Sequence, residues 1–144
     1  MSPGSRLCWC LGLLFVASGA ALSSGCAKTD RAAINGTVTL NGTPVEKGSI
    51  TFRPQPGTAS PSAGANITSG KFSIAAEQGL LPGTFRVEIT ANRLTGEKVT
   101  TRFSSQPVQL EEQYIPDKYN TSSELEITIV PNAGRITQDY ELID

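Results

Sequence analysis

Leu81-Pro82-Gly83-Thr84-Phe85-Arg86-Val87-Glu88-Ile89-Thr90 is the stretch of sequence that decides the fold. From Thr84 to Thr90 apolar and polar residues alternate strictly, and this period of two predicts a strand with one buried face. Three apolar side chains share that face, those of Phe85, Val87 and Ile89. The preceding Leu81-Pro82-Gly83 predicts a tight turn, because proline restricts φ and glycine tolerates positive φ. A strand buried on one face needs other strands beside it.

The same alternation recurs along most of the chain. Ile34 to Leu40 predicts a strand that ends at the Asn41-Gly42 turn signal, and Ser69-Gly70 and Thr95-Gly96 predict hairpin turns. Further strands are predicted at 49–53, 65–68, 71–74, 98–103 and 125–129, with Tyr140 and Leu142 closing the pattern. After residue 26 no segment keeps apolar residues at helical spacing, so helix should be scarce. We therefore predict an all-β fold, an antiparallel two-sheet sandwich of about seven strands. A barrel is the other arrangement that such strands allow.

Two predicted connections are candidates for binding. Pro54 to Ser62 is rich in turn residues and poor in apolar ones, which predicts an exposed loop. Ser104 to Ser123 is predicted to be a long connection that carries Tyr114 and Tyr119. These rings could stack on a sugar or a peptide, or they could fold back and cap the core with their hydroxyls in water. Loops of this length either pack on themselves or carry function, so the sequence leaves both roles open.

The first 25 residues predict a secretory signal peptide. Arg6 gives a basic start, Leu7 to Leu22 is apolar or small throughout, and small residues precede Cys26. The apolar run is shorter than the about 20 residues that a membrane-spanning helix needs. Cysteine directly after small residues resembles the lipobox of bacterial lipoproteins, in which that cysteine is acylated. A plain signal peptide that leaves a free thiol is the alternative. Residues 26–33 are then predicted to be a short tether and residues 34–144 the folded domain.

Composition excludes several classes of function. The chain has 12 basic and 13 acidic side chains, and without Arg6 of the predicted signal its net charge is near −2. This balance gives no basic footprint for nucleic acid and no polybasic patch for anionic lipid. Cys26 is the one cysteine beyond the predicted signal, so no internal disulfide is expected.

The sequence offers no candidate catalytic, metal-binding or cofactor-binding residues. Histidine is absent, which removes the usual general base and the commonest metal ligand. Glu111, Glu112 and Asp117 form the densest acidic cluster, but the spacing of a calcium-binding loop is missing, so a solvated surface is expected. We therefore predict that the chain is not an enzyme.

Several turn and strand motifs resemble a known family. They are Gly36-Thr-Val-Thr-Leu-Asn-Gly-Thr-Pro-Val-Glu-Lys-Gly48, Ser49-Ile-Thr-Phe52, Gly70-Lys-Phe-Ser-Ile74 and Leu81-Pro-Gly-Thr-Phe-Arg-Val-Glu-Ile89. Together they look like a carboxypeptidase regulatory-like domain, which implies a transthyretin-like β-sandwich. Ile115-Pro-Asp-Lys-Tyr-Asn120, Ser123-Glu-Leu125 and Tyr140-Glu-Leu142 resemble the version found in short planctomycete lipoproteins. The resemblance implies no zinc chemistry, because metallo-carboxypeptidases carry their zinc ligands in a separate domain.

These observations predict a non-enzymatic β-sandwich lipoprotein at the cell envelope. A lipid on Cys26 would tether it to the membrane, facing the periplasm or the exterior, and it would act as a structural or protein-interaction module. If Cys26 is not acylated, a secreted soluble protein is expected instead. The alternative function is a carbohydrate or small-ligand binding module that uses the loops 54–62 and 104–123.

Overall fold

The computed structural model describes residues 30–100, 102 and 106–144. Cys26 and the predicted signal peptide lie outside these residues. Two single-turn 3₁₀ helices, Ala76–Gln78 and Asp117–Tyr119, accompany the strands. None of the helices in these ranges is long and apolar enough to cross a membrane. The strands are β1 (Ala33–Leu40), β2 (Thr43–Pro44), β3 (Lys47–Pro54), β4 (Ala63–Thr68), β5 (Lys71–Ile74), β6 (Gly83–Thr90), β7 (Asn92–Val99), β8 (Val108–Gln113), β9 (Glu126–Ile129), β10 (Arg135–Thr137) and β11 (Tyr140–Leu142).

Nine of these strands form one curled sheet. Its order is β10-β1-β5-β4-β3-β6-β9, and β2 and β11 also pair with β1. β4 and β5 are joined by the predicted Ser69-Gly70 turn, but in register they share a single pair, Thr68 with Lys71. The sheet divides at this hairpin into one layer around β1 and another around β3 and β6. The prediction of an all-β, sandwich-like fold is confirmed.

The predicted central strand has the buried face that its sequence indicates. Phe85, Val87 and Ile89 of β6 are fully buried. Rings from the two layers meet in the core, where the centroids of Phe52 and Phe72 lie 6.3 Å apart. The remaining large, fully buried side chains are Ile34, Val38, Val45, Ile50, Ile67, Leu80, Ile129 and Leu142.

The sheet is not wholly antiparallel, which corrects the prediction. β10 and β11 run parallel to β1, with Ile34 beside Ile136 and Val38 beside Tyr140. Gly36 permits this close approach, because a Cβ atom there would lie 1.7 Å from the carbonyl oxygen of Gln138. The chain therefore needs a glycine where its C-terminal segment passes the first strand.

Two local predictions are wrong, and both concern β7 and β8. Thr95-Gly96 is not a hairpin turn, because β7 continues through it to Val99 with a register shift between Leu94 and Lys98. Gly96 has a φ of +82°, a conformation that suits a bulge as well as a turn. Residues 104–123 are not one connection, because the strand β8 lies within them.

The molecule has two ends with different features. At the first end, which we call the lower end, Ala32 pairs with Leu80 in an isolated β-bridge. β1 and β6 both begin at this end. The loop 55–62 lies there too, since Thr58 Oγ1 accepts a hydrogen bond from Thr84 N at 3.1 Å. At the other, the ribbon end, β6 finishes and leads through Ala91 into β7.

Candidate functional site

The most unusual surface is the ribbon formed by β7 and β8. Among the residues that the structure describes, the two strands pair only with each other, and every residue in both is exposed. Four large apolar side chains lie on it: Leu94 is 57% exposed, Val99 37%, Val108 48% and Leu110 37%. Antiparallel partners share a face, as do residues two apart on one strand. Val99, Val108 and Leu110 therefore form one apolar strip on a structure without a core of its own.

Besides the backbone pairing of its two strands, weak and solvent-exposed side-chain contacts hold the ribbon together. Arg93 Nη2 and Glu112 Oε2 are 3.5 Å apart, and Thr95 Oγ1 donates to Leu110 O at 3.2 Å. Exposed ion pairs contribute about 0–1 kcal/mol. A two-stranded ribbon alone in water is marginally stable. Burial of the apolar strip against another surface would therefore stabilise it.

The two tyrosines of the predicted long connection cap the core. Tyr119 Oη donates to Ile143 O at 3.2 Å and accepts from Ile143 N at 3.1 Å. Tyr114 is half-buried against the core, with the guanidinium of Arg93 5.5 Å from its ring centroid. Each ring has its own neighbours, so the two do not form a shared stacking platform.

The loops of the predicted ligand-binding alternative do not come together. The loop 54–62 lies at the lower end. Residues 114–123 instead follow the ribbon-end half of β6, where Tyr114 N donates to Ala91 O at 3.1 Å and Ser123 Oγ donates to Val87 O.

A second surface feature is a pocket of about 500 Å³ at the lower end, which we call the arginine pocket. Arg53 and Arg86 are opposite each other in register on β3 and β6. Glu88 bridges them: its Oε2 is 2.6 Å from Arg53 Nε and its Oε1 is 3.0 Å from Arg86 Nη2. The pocket is lined by Arg53, Pro54, Gln55, Pro56, Ser62 and Arg86. Sequence reasoning missed it, since the two arginines meet only through long-range pairing.

A shallow groove of about 630 Å³ lies on the outer face where β4 and β5 part. Its floor is Gly36 and Phe72. Asp139, on its rim, is already engaged, because its Oδ1 accepts from Thr37 N at 2.7 Å and Thr37 Oγ1 at 2.8 Å. The other polar residues around it are Asn35, Asn66, Thr68, Lys71, Ser73 and Thr137.

The acidic cluster of the sequence is exposed. Glu111 and Glu112 lie on β8 and Asp117 on a 3₁₀ turn. Within the part of the chain that the structure describes, no three His, Cys, Asp or Glu side chains gather as metal ligands would.

Burial raises the pKa of Tyr140 above its usual value, and its hydroxyl has no hydrogen-bond partner among those same residues.

Comparisons with known proteins add little. No family model matches this chain, and no curated protein matches it. Among solved structures, a 9R-lipoxygenase from Cyanothece PCC8801 is similar at a TM-score of 0.35 and 17% identity, over 80% of this chain and 16% of the lipoxygenase. A similarity this low carries no argument about function.

Proposed function

We propose that this chain is a non-enzymatic, membrane-tethered β-sandwich lipoprotein that binds an envelope protein through its β7–β8 ribbon. One observation carries the proposal. Four of the six large apolar side chains that the described residues expose lie on a ribbon with no core. Exposed apolar surface of this kind is typical of protein interaction sites.

The position of the ribbon suits a tethered protein. Because Ala32 is buried and pairs with Leu80, residues 27–31 would span from a lipid on Cys26 to the fold. Five extended residues reach about 18 Å at most, which would keep the lower end near the membrane. β6 separates the two ends by about 25 Å, the length of eight residues in a strand. The ribbon would then point away from the membrane, towards a partner.

The chemistry of the ribbon defines its partner. Within residues 30–100, 102 and 106–144 both strands have an unpaired outer edge, and such an edge can accept an additional strand from another protein. The apolar strip of Val99, Val108 and Leu110 is complementary to an apolar surface on the partner. The charged side chains on the ribbon are Arg93, Glu97, Lys98, Glu111 and Glu112, one negative charge in excess. A partner with an apolar groove and a basic rim fits these features.

Site-specific photocrosslinking in the native envelope tests the ribbon. A photoreactive residue replaces Leu110 in one full-length variant and Val130 in the control; Val130 is equally apolar and 60% exposed but lies outside the ribbon. We expect one defined adduct from position 110 and none from position 130. The crosslinked partner is then identified and purified, and it should bind the unmodified full chain. The Leu110→Ser variant of the full chain should bind this partner at least tenfold more weakly. Equal adducts from both positions would refute the ribbon as the binding surface.

The anchor is tested on the same protein. Cys26→Ser should block acylation, so that the lipid increment in mass is lost and an uncleaved or mislocalised precursor remains. A Cys26→Ser chain that is still cleaved after Gly25 and still fractionates with membranes would refute the lipoprotein part of the proposal.

A further inference from the structure

We propose that the arginine pocket is a binding site for a phosphate group, supplied by a phospholipid headgroup or by a free phosphate ester. The site itself stands on the contacts around Arg53 and Arg86. The headgroup as the source rests on the proposed tether.

Arg53 and Arg86 lie side by side on neighbouring strands of the sheet. Like charges directly opposite on neighbouring strands repel each other, and Arg53 and Arg86 are such a pair. Among the described residues, Glu88 is the one carboxylate within salt-bridge distance of either guanidinium. Glu126 is opposite Arg86 in register, and its Oε1 accepts from Gln55 Nε2 at 2.7 Å. Because glutamine is neutral, this carboxylate keeps its charge, and the cluster of two arginines and two glutamates is close to neutral. What the two guanidiniums lack among the described residues is a second carboxylate in direct contact.

The two arginines carry more N–H donors than the carboxylate of Glu88 accepts. A guanidinium carries five N–H donors in a planar fork that matches a phosphate. Arg53 uses its Nε on Glu88, and Arg86 uses its Nη2. Arg86 Nε is removed from water and has no partner among the described residues. A buried donor without a partner is unfavourable, but an atom closed to water is closed to an oxyanion as well. A phosphate would therefore be bound by the remaining N–H donors of the two side chains, which are 55% and 42% exposed.

The pocket has rigid walls and room for a phosphate group. Pro54 and Pro56 give it stiff walls, while Gln55 and Ser62 add polar side chains. The backbone of this wall is fixed, because Gln55 N donates to Thr84 O at 2.9 Å. A volume of about 500 Å³ leaves room for a phosphate together with the group that it is attached to.

The pocket lies at the lower end, where Arg31 Nη1 donates to Gly79 O at 2.8 Å and Arg135 is beside Ala33. Glu77 lines a pocket together with Arg135 at the same end, so the lower end carries charges of both signs. If residues 27–31 tether the lower end as proposed, the arginine pocket lies close to the headgroup layer of the membrane.

Phosphate binding is measured on the full chain in detergent, with inorganic phosphate as the probe and calorimetric titration as the readout. We expect Arg53→Gln and Arg86→Gln to weaken binding at least tenfold. Arg93→Gln is the control: Arg93 forms an ion pair with Glu112 on the ribbon, outside the pocket, so this substitution should leave phosphate affinity unchanged. Arg86→Lys keeps the positive charge but loses the planar array of N–H donors, so its phosphate affinity should lie between those of the unmodified chain and Arg86→Gln. Circular dichroism confirms that each variant is folded. Phosphate binding that is absent from the unmodified chain, or equal in Arg86→Gln and Arg93→Gln, would overturn the site.

Vesicle flotation separates the two sources. The Cys26→Ser chain, which has no acylation site, is mixed with phosphatidylglycerol vesicles, and its Arg86→Gln derivative serves as the control. Flotation that depends on Arg86 identifies the headgroup as the ligand. Phosphate binding without flotation identifies a free phosphate ester. Neither result alters crosslinking at position 110, so the failure of this site and the failure of the ribbon are distinguishable.

Discussion

Gly36→Ala tests whether the C-terminal strands depend on close passage beside β1. Gly36 does not have a positive φ, so its backbone would tolerate alanine. The obstacle is steric, because the new Cβ atom would lie 1.7 Å from Gln138 O and 2.6 Å from the carbonyl carbon. Three hydrogen bonds lie at this crossing: Gln138 N to Asn35 O at 2.9 Å, and two from Thr37 to Asp139 Oδ1. At about 1 kcal/mol each, their loss lowers the free energy of unfolding by about 3 kcal/mol.

Gly42→Ala is the matched control. Gly42 has a φ of +80° and nothing within 4 Å of the added methyl group, so only conformational strain of about 1–2 kcal/mol is expected. Urea unfolding of the full chain measures both variants. A Gly36→Ala chain no less stable than the Gly42→Ala chain would refute the claim that passage of the C-terminal segment requires glycine.

Tyr140→Phe removes a buried hydroxyl that has no partner, so thermal unfolding should show unchanged or slightly raised stability, and a loss above about 1 kcal/mol would contradict this. Because burial raises the pKa of Tyr140 above its unfolded value near 10, the folded state keeps its proton where the unfolded state has lost it. Stability should therefore fall as pH rises above about 10, and less steeply in Tyr140→Phe; parallel pH profiles would refute this. Ser123→Ala leaves Val87 O without its side-chain donor inside the protein, so urea unfolding should show a loss of about 1–3 kcal/mol. Ser122→Ala, an exposed neighbour, is the control, and equal losses would show that the buried hydrogen bond contributes nothing.

The strands that sequence predicts correctly are those whose signals are local. β6 has an uninterrupted alternation and its own entry turn, and its three apolar residues are fully buried. Asn41 and Ser69 both adopt positive φ at the turns expected of them. Thr95-Gly96 has the same kind of signal and fails, because positive φ occurs in bulges as well as turns. The parallel direction of β10 depends on contacts far away in sequence, which alternation does not encode.

The candidate sites show the same division. The exposed loop 54–62 was predictable from its composition, and it supplies Pro56 and Ser62 to the arginine pocket. The partnership of Arg53 with Arg86 was not, since each reads as an ordinary polar residue on the outer face of a strand. The ribbon was not predictable for a similar reason. Its second strand, β8, lies within the segment 104–123, which has turn residues at both ends and was therefore predicted to be a connection.

The position of β1 sets the order in which the fold can be completed. Thr37 of this strand bonds to Asp139, 102 residues further along the chain. A chain that is synthesised from its N-terminus offers β5 to the first strand early, whereas β10 and β11 arrive much later. Until then one edge of β1 stays unpaired, and such an edge can join the wrong strand. A chaperone that holds the chain extended until residues 135–142 have been synthesised would protect that edge at the time when it is most exposed.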